Sequence, residues 1–288
     1  TAEYEILKGL KFKGMLGYYY AYNELDNQEF TYELYGYNEQ TDSYYVTNRM
    51  SNPYRERNRE KVEDQFSNFQ LNFDRKFGKH AVVAVAGFEA SQRKRPKMWI
   101  HSTPVSNAMD LIRLKEIQEF NDDGNRTEAR MCYLGRINYS YADKYLIELI
   151  ARWDGSWKFR PDNRWGFFPS ASLGWRISEE NFWKESKLGE IVTNFKLRGS
   201  YGEVGDDAVS DYSAFDYLPG YNYNSGGAVI DGNWVVGTST RGLPNQTLSW
   251  MTAKILDIGV DLGFLNNRLN VQFDYFRRVR DGIPEARY

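Results

Sequence analysis

The sequence predicts an all-β fold, an antiparallel, membrane-spanning β-barrel segment with short turns at one end and long loops at the other. Three observations carry that prediction. Apolar residues recur with a period of two rather than 3.6 along much of the chain. The alternating stretches are longer than the 5–6 residues of an average strand. The connections between them alternate between a few residues and several dozen, as they do in barrels of outer-membrane type. Composition agrees: 16% of the 288 residues are aromatic, with 22 Tyr, 17 Phe and 8 Trp beside 24 Gly.

The elements follow in order. Leu10, Phe12, Gly14, Leu16, Tyr18 and Tyr20 alternate with Lys11, Lys13, Met15, Gly17 and Tyr19, which places a strand near 10–23. Phe69, Leu71 and Phe73 alternate with Gln70, Asn72 and Asp74 in a strand near 62–77, and a weaker one covers 81–94. Met131, Tyr133, Ile137, Tyr139 and Tyr141 mark 127–141. The clearest case is 145–157: Tyr145, Ile147, Leu149, Ala151 and Trp153 share one face, and Leu146, Glu148, Ile150, Arg152 and Asp154 the other. Eight steps of ~3.3 Å at a tilt of ~40° rise about 20 Å, close to the ~25 Å apolar band of an outer-membrane barrel. Further strands are predicted at 164–178, 194–204, 252–265 and 268–280. Short turns fall at Gly78-Lys79-His80, Ala142-Asp143-Lys144 and Asn266-Asn267, and long connections at 24–60, 91–126 and 203–251. A short helix capped by Ser178 is expected in 179–193, and a helix over Asn107 to Phe120 is weighed at even odds with a loop.

Several classes are excluded. Lys+Arg is 37 against 39 Asp+Glu, a net charge of -2, so there is no basic footprint for nucleic acid. The longest apolar run, Ala81 to Gly87, is far short of a spanning helix. One Cys precludes a disulfide framework or a Cys-based zinc site. His80 and His101 read as surface residues, no catalytic constellation is present, and no cofactor is expected. Asp206-Asp207 could take a hard cation but reads as a solvated pair. Asn121 to Asn125 faintly resembles half of an EF-hand loop, with Cys132 where the loop's Glu would stand, and reads as a turn. Gly202-Glu203-Val204-Gly205 lacks the Gly-Lys-Ser/Thr of a phosphate loop. Alternation alone leaves a second architecture open: a soluble, aromatic-rich, glycan-binding β-sandwich.

Other residues carry a family resemblance. Tyr133-Leu134-Gly135-Arg136-Ile137-Asn138-Tyr139, Asp143-Lys144-Tyr145-Leu146 and Arg152-Trp153-Asp154-Gly155-Ser156 resemble segments of the SusC/RagA family of TonB-linked outer-membrane transporters. So do Asn163 to Ser170, Gly174 to Glu180, Leu197 to Gly202 with Gly205-Asp206, and Leu256 to Gly263 with Asn267 to Asn270. Phe77-Gly78-Lys79-His80 resembles its periplasmic turn. The likeness covers most of 77–283. The family's Asn-Pro-x-Leu-x-Trp-Glu is replaced by Asn245-Gln246-Thr247-Leu248-Ser249-Trp250-Met251, without the Pro and the Glu.

The resemblance implies about nine strands of a 22-stranded barrel, with no plug, TonB box or signal peptide in these residues. The expectation is therefore an internal fragment, 1–288, of a larger receptor barrel. It implies import of oligosaccharides or peptides across the outer membrane, capping by a SusD-like lipoprotein, drive from TonB through the plug, and no enzymatic activity. Aromatics on the lipid parity, such as Tyr141, Tyr145, Trp153, Trp175 and Tyr275, are expected as girdles. Trp157, Phe159, Tyr221, Tyr223 and Trp234, with Asp206 and Asp207, are the candidate contacts for substrate or lipoprotein. Rings beside polar groups suit sugar faces, whereas packing of loop on loop is the plainer reading of the same rings.

Overall fold

In the computed structural model, which describes residues 1–51, 54–113, 117–123, 127–208 and 214–283, period-two alternation has become strand throughout. All nine expected strands are present: β2 (Leu10–Glu29), β5 (Tyr54–Phe77), β6 (His80–Lys94), β9 (Thr127–Tyr141), β10 (Tyr145–Ser156), β11 (Trp165–Arg176), β12 (Val192–Asp206), β15 (Met251–Phe264) and β16 (Leu269–Asp281). With β1 (Ala2–Leu7) they follow one another in a sheet of order β1-β2-β5-β6-β9-β10-β11-β12-β15-β16.

The regions expected as loops hold strands as well. The hairpins β3–β4 (Tyr32–Asn38, Ser43–Met50) and β13–β14 (Tyr221–Ile230, Asn233–Thr240) form two-stranded sheets, and β7 (Lys97–Ser102) pairs with both β5 and β8 (Ile117–Asp123). Among the described residues α-helix is confined to α1 (Asn181–Lys184) and α2 (Lys187–Ile191). The expected cap Ser178 lies buried in a 3-10 turn, and the helix cap is Ser186, whose Oγ accepts from the Gly189 amide at 3.0 Å. No described helix is long and apolar enough to cross a membrane.

The chain divides into two compact units. The first comprises Thr1–Leu16, Phe66–Ser91 and Ala129–Tyr288. Its ladders from β9 to β16 are antiparallel, with one register irregularity, between Val192 and Asn194 at the start of β12. One register row reads Tyr139, Ile147, Leu173, Gly199, Ile258, Tyr275, and the next Ile137, Leu149, Ala171, Tyr201, Leu256, Arg277. This apolar face is open: Leu149 is 51% exposed, and among the described residues no second sheet covers it. A sandwich, whose inner faces pack about 10 Å apart, is therefore excluded for β10. Rings bound the apolar zone. Tyr141, Tyr145 and Trp175 stack at 6.4 and 6.5 Å at one end, while Tyr133, Trp153 and Trp165 gather at 5.0–6.0 Å at the other.

The opposite face is polar. The row Asn138, Glu148, Ser172, Ser200, Asp257 crosses five strands. Arg136 pairs with Glu148, and Arg198 reaches Asp257 and Asp261 at 3.2 Å as well as Asp274. A hollow of about 540 Å³ opens on this face, lined in part by Asn138, Glu148, Ser172, Arg198 and Ser200. At the short-turn end, Ala142 and Asp143 both take positive φ, as a tight hairpin turn requires. Beside that turn Glu180 accepts from Lys144, Tyr145 and Trp175 at 2.7–3.2 Å. The Lys144 and Tyr145 hydrogen bonds hold its carboxyl down at about 2.

The second unit, Gly17–Gln65 and Gln92–Glu128, is organised by one buried cation. Arg55 is 2% exposed. Its Nε donates to the Met109 carbonyl at 2.9 Å, Nη1 to the Glu29 and Tyr54 carbonyls at 3.0 and 2.9 Å, and Nη2 to the Asn107 carbonyl at 3.2 Å. Its guanidinium also lies 5.0 Å from the Phe30 ring centroid. The Asn107 side chain in turn bonds the Thr31 amide and carbonyl at 2.8 and 2.9 Å. These bonds explain why the weighed helix is absent. The carbonyls of Asn107 and Met109 point to Arg55 instead of to amides four residues on, and the segment ends in strand β8. Residues 114–116 of that stretch lie outside the described residues, as do 124 and 125 of the EF-hand-like segment, whose first three residues belong to β8.

Replacing Arg55 by Leu removes the donor from the carbonyls of Glu29, Tyr54, Asn107 and Met109, at about 1–3 kcal/mol for each one that water does not reach. The expected outcome is faster limited proteolysis within 103–113 with unchanged protection of β9 to β12. Equal cleavage rates in both proteins would show that the guanidinium does not hold this segment.

Candidate functional site

The strand ends opposite the short turns carry the expected contact residues, and the structure sorts them into two groups. The first is a packed platform built from the connections β10–β11 and β12–β15. Phe159 is fully buried, against Leu248 and the Trp250 ring at 5.5 Å, and Phe168 meets that ring edge-on at 5.3 Å. Polar bonds lock the two connections together. Trp250 Nε1 donates to the Arg164 carbonyl at 2.9 Å, Ser249 Oγ to the Asn163 carbonyl at 3.1 Å, and Asn163 Nδ2 to the Gln246 carbonyl at 3.1 Å. Asn245 Oδ1 accepts from the Thr247 amide at 3.2 Å, a side-chain turn that shapes the backbone where the family's Pro is missing. Trp157 is buried and meets Phe215 edge-on at 5.5 Å.

Asp207 ties this platform to its neighbours. Its carboxylate accepts from Arg130 Nε at 2.8 Å and Ser156 Oγ at 2.7 Å, and its carbonyl accepts from Lys158 Nζ at 2.8 Å. Burial alone would raise the Asp207 carboxyl, but the bonds from Arg130 and Ser156 outweigh it and hold the group below its ordinary value. The Asp206 carboxylate bonds locally, accepting from the Ala208 amide at 2.8 Å. Among the described residues no cluster of His, Cys, Asp or Glu could hold a metal ion. Trp157, Phe159 and Asp207 thus share one packed assembly, with little ring surface left for a ligand.

The second group is the β13–β14 hairpin. Tyr221 and Tyr223 pair with Thr240 and Thr238, and Val229 pairs with Trp234, so the three rings lie on one face of the ribbon. They are 64, 82 and 65% exposed, which makes them available where Phe159 is not. The Trp234 ring covers Gly227 so closely that a Cβ there would meet it at 2.5 Å. The base is closed by the Arg241–Asp216 ion pair and by the Arg241 amide donating to the Gly220 carbonyl at 2.9 Å.

The sequence did not single out Arg130, Ser156, Lys158 or Leu248 as partners of the expected site residues. The available signal was the order Asp154-Gly155-Ser156 at a strand end, followed by Trp157-Lys158-Phe159. A hydroxyl, a cation and two rings at one strand end describe an anchored connection better than a free one.

With this geometry in place, comparison with known proteins is decisive. Residues 7–287 match the family described as TonB dependent receptor-like, beta-barrel. The chain belongs to that family. Over 283 residues it is 29% identical to TonB-dependent receptor P3 of Formosa agariphila, covering 96% of this chain and 26% of that protein. It is 41% identical over 151 residues to TonB-dependent receptor SusC of Bacteroides thetaiotaomicron, covering 52% of this chain and 15% of the relative. Among solved structures it resembles the RagAB peptide transporter, with a TM-score of 0.74, 19% identity, and coverage of 96% of this chain and 29% of that one. The SusC/RagA resemblance of the sequence is thereby borne out. The chain spans about a quarter of the length of the P3 relative. In this barrel segment the apolar face is the lipid side of the wall and the polar face is the lumen side.

Replacing Asp207 by Ala leaves the buried Ser156 hydroxyl without its acceptor, at about 1–3 kcal/mol, and frees the half-exposed Arg130 to water. Faster hydrogen exchange is expected at residues 156–158, with little change on replacing Asp206 by Ala. Because the Asp207 carboxyl titrates below its ordinary value of 3.8, its contribution is complete above that pH and is lost as pH falls through its lowered value. Equal exchange in both variants at neutral pH would show that Asp207 is not the tie.

Proposed function

We infer that the chain is wall and outer loops of an outer-membrane importer that takes up a nutrient, an oligosaccharide or a peptide. It works with a SusD-like lipoprotein at the outer side and draws energy from TonB through a plug. The carrying observation is the two-faced sheet: an open apolar face bounded by stacked rings, backed by a face of paired charges and hydroxyls. The names of the relatives support the reading. One is a SusC receptor and another structure is titled a peptide transporter. Transport requires a wall and binding groups, and the paired acids and bases of the lumen face serve as polar lining rather than as a reacting centre.

The wall is tested in the full-length polypeptide. Replacing Leu149 by Arg puts a charge on the lipid face mid-strand, which costs roughly 2–4 kcal/mol near a bilayer midplane. Reduced insertion and lower heat-resistant barrel on gels are expected. Replacing Ser172 by Arg, on the lumen face of the adjoining strand, should be tolerated. Similar loss in both variants would remove the case for a lipid side.

Ligand or cap contact falls to the hairpin rings. Replacing Tyr221, Tyr223 and Trp234 together by Ala should lower substrate uptake or lipoprotein co-purification severalfold while barrel assembly stays intact. Unchanged growth on the limiting nutrient, with an unchanged lipoprotein yield, would assign these rings to local packing alone.

A further inference from the structure

One connection at the short-turn end is longer than a hairpin turn. Between β11 and β12 the chain runs through a 3-10 turn, Ile177–Glu179, and then through α1 and α2. Its backbone is fixed at several points. Ile177 and Ser178 are buried, and the Arg176 amide donates to the Lys144 carbonyl at 2.8 Å. Glu180 accepts from Tyr145 Oη and Trp175 Nε1 at 2.7 and 3.2 Å. The Trp183 ring lies 5.0 Å from that of Phe195, and its Nε1 donates to the Val192 carbonyl at 3.1 Å. The second helix packs on the first so closely that a Cβ at Gly189 would collide with the Trp183 carbonyl oxygen.

These anchors also place the connection. Tyr145, Trp175 and Phe195 share the strand parity of Leu149, Leu173 and Leu197, which is the lipid side of the wall. Glu180 and Trp183 therefore hold the segment to that side, next to the ring row of Tyr141, Tyr145 and Trp175. In the sheet β10 and β15 flank β11 and β12, so this chain borders the connection on both sides. Anything in the lumen lies across the wall from it.

Exposure along the connection repeats every three residues, the period of a tightly wound segment. Trp183, Ser186, Gly189 and Val192 are half-buried. The exposed positions form two sets. Asn181, Lys184, Lys187 and Glu190 are polar. Phe182, Leu188 and Ile191 are apolar and 59, 60 and 59% exposed, with Glu185 the one polar residue in their series. Large apolar side chains held outward beside a buried serine are poorly suited to water. Charge does not supply the attraction, because Glu179, Glu180, Glu185 and Glu190 outnumber Lys184 and Lys187 between 177 and 191. What suits all three sets is a boundary between water and hydrocarbon. A segment lying in the plane of such a boundary buries its apolar side about 5–10 Å into the head-group and acyl region and leaves its charged side wet.

We propose that residues 181–191 are an interfacial foot on the periplasmic leaflet, the leaflet beside the short turns. Phe182, Leu188 and Ile191 enter the phospholipid surface, continuing the lipid side of the wall past its ring row, while Lys184, Lys187 and Glu190 stay in water. The foot goes beyond the import reading and rests on the lipid side of the wall, not on what is carried.

The test uses the full-length protein in nanodiscs of phosphatidylethanolamine and phosphatidylglycerol, in a cysteine-free background that includes Cys132→Ser. Bimane fluorophores are attached to single cysteines placed at 149, 182, 184, 187, 188, 190 and 191. Phospholipid brominated along its acyl chains should lower emission about twofold or more at 182, 188 and 191, as at 149, and little at 184, 187 and 190. Aqueous iodide should do the reverse. Replacing Phe182, Leu188 and Ile191 together by Ser should keep the heat-resistant barrel and speed tryptic cleavage after Lys184 or Lys187 severalfold in the nanodisc. An unchanged cleavage rate would overturn the foot, as would iodide quenching at 182, 188 and 191 equal to that at 184, 187 and 190. Silence of both quenchers at the three positions would also overturn it, since a protein surface would then cover them. Quenching by brominated lipid at 149 alone leaves the wall standing without the foot. Quenching at the three positions but not at 149 upholds the foot and overturns the spanning wall.

Discussion

A strand that separates two solvents must satisfy both along its whole length, and every other feature of this chain depends on that constraint. In β10, Ile147 and Leu149 stand on a face that only lipid suits, while Glu148 on the reverse is bonded by Arg136. Backbone polar groups cannot be left unpaired in hydrocarbon, so each spanning strand must be laddered to neighbours on both sides. The antiparallel ladders supply this for β9, β10, β11, β12 and β15, each of which has a strand on both sides. Because side chains alternate with a period of two, slipping one ladder by a single residue would turn Glu148 to lipid and Leu149 to the lumen. The ring rows then mark where the apolar zone ends: Tyr145 and Trp153 are eight residues apart on β10, one in each row.

How much of this the sequence discloses depends on which physics sets each segment. The nine long strands were legible because burial in two solvents imposes alternation directly on the residues, as in Leu256 to Phe264. The hairpins were not. Residues 221–240 are rich in Gly, Asn, Ser and Tyr, a composition that also describes an irregular loop, and their ladder is held by ring packing across glycine, Trp234 on Gly227. Tyr45 on Gly36 repeats the device in β3–β4. Strands β7 and β8 were missed for another reason. In Lys97-Met98-Trp99-Ile100-His101-Ser102 three apolar residues stand in a row, so apolar and polar do not alternate. The helix weighed over Asn107 to Phe120 failed because a distant cation, Arg55, takes the carbonyls a helix would need.

The candidate contacts divide along the same line. Phe159 and Trp157 were legible as aromatic loop residues, but which rings are buried depends on the partner loop. Leu248 and Trp250 come from about ninety residues away in sequence. Local composition does not encode that pairing. Asp207 shows the same dependence: read with Asp206 it is one of two solvated acids, yet Arg130, Ser156 and Lys158 converge on it from two other segments. The outer end therefore combines a rigid assembly, which fixes the connections to the wall, with an exposed ribbon that presents its rings.

The most direct measurement of the central claim is collisional accessibility of nitroxide labels placed one at a time from residue 145 to 153 of the full-length protein in a bilayer. If β10 separates lipid from a wet lumen, access to oxygen peaks at 147, 149 and 151, and access to a water-soluble nickel chelate peaks at 146, 148 and 150. The two profiles then alternate out of phase with a period of two. Profiles that rise and fall together, or that show no alternation, would contradict the account.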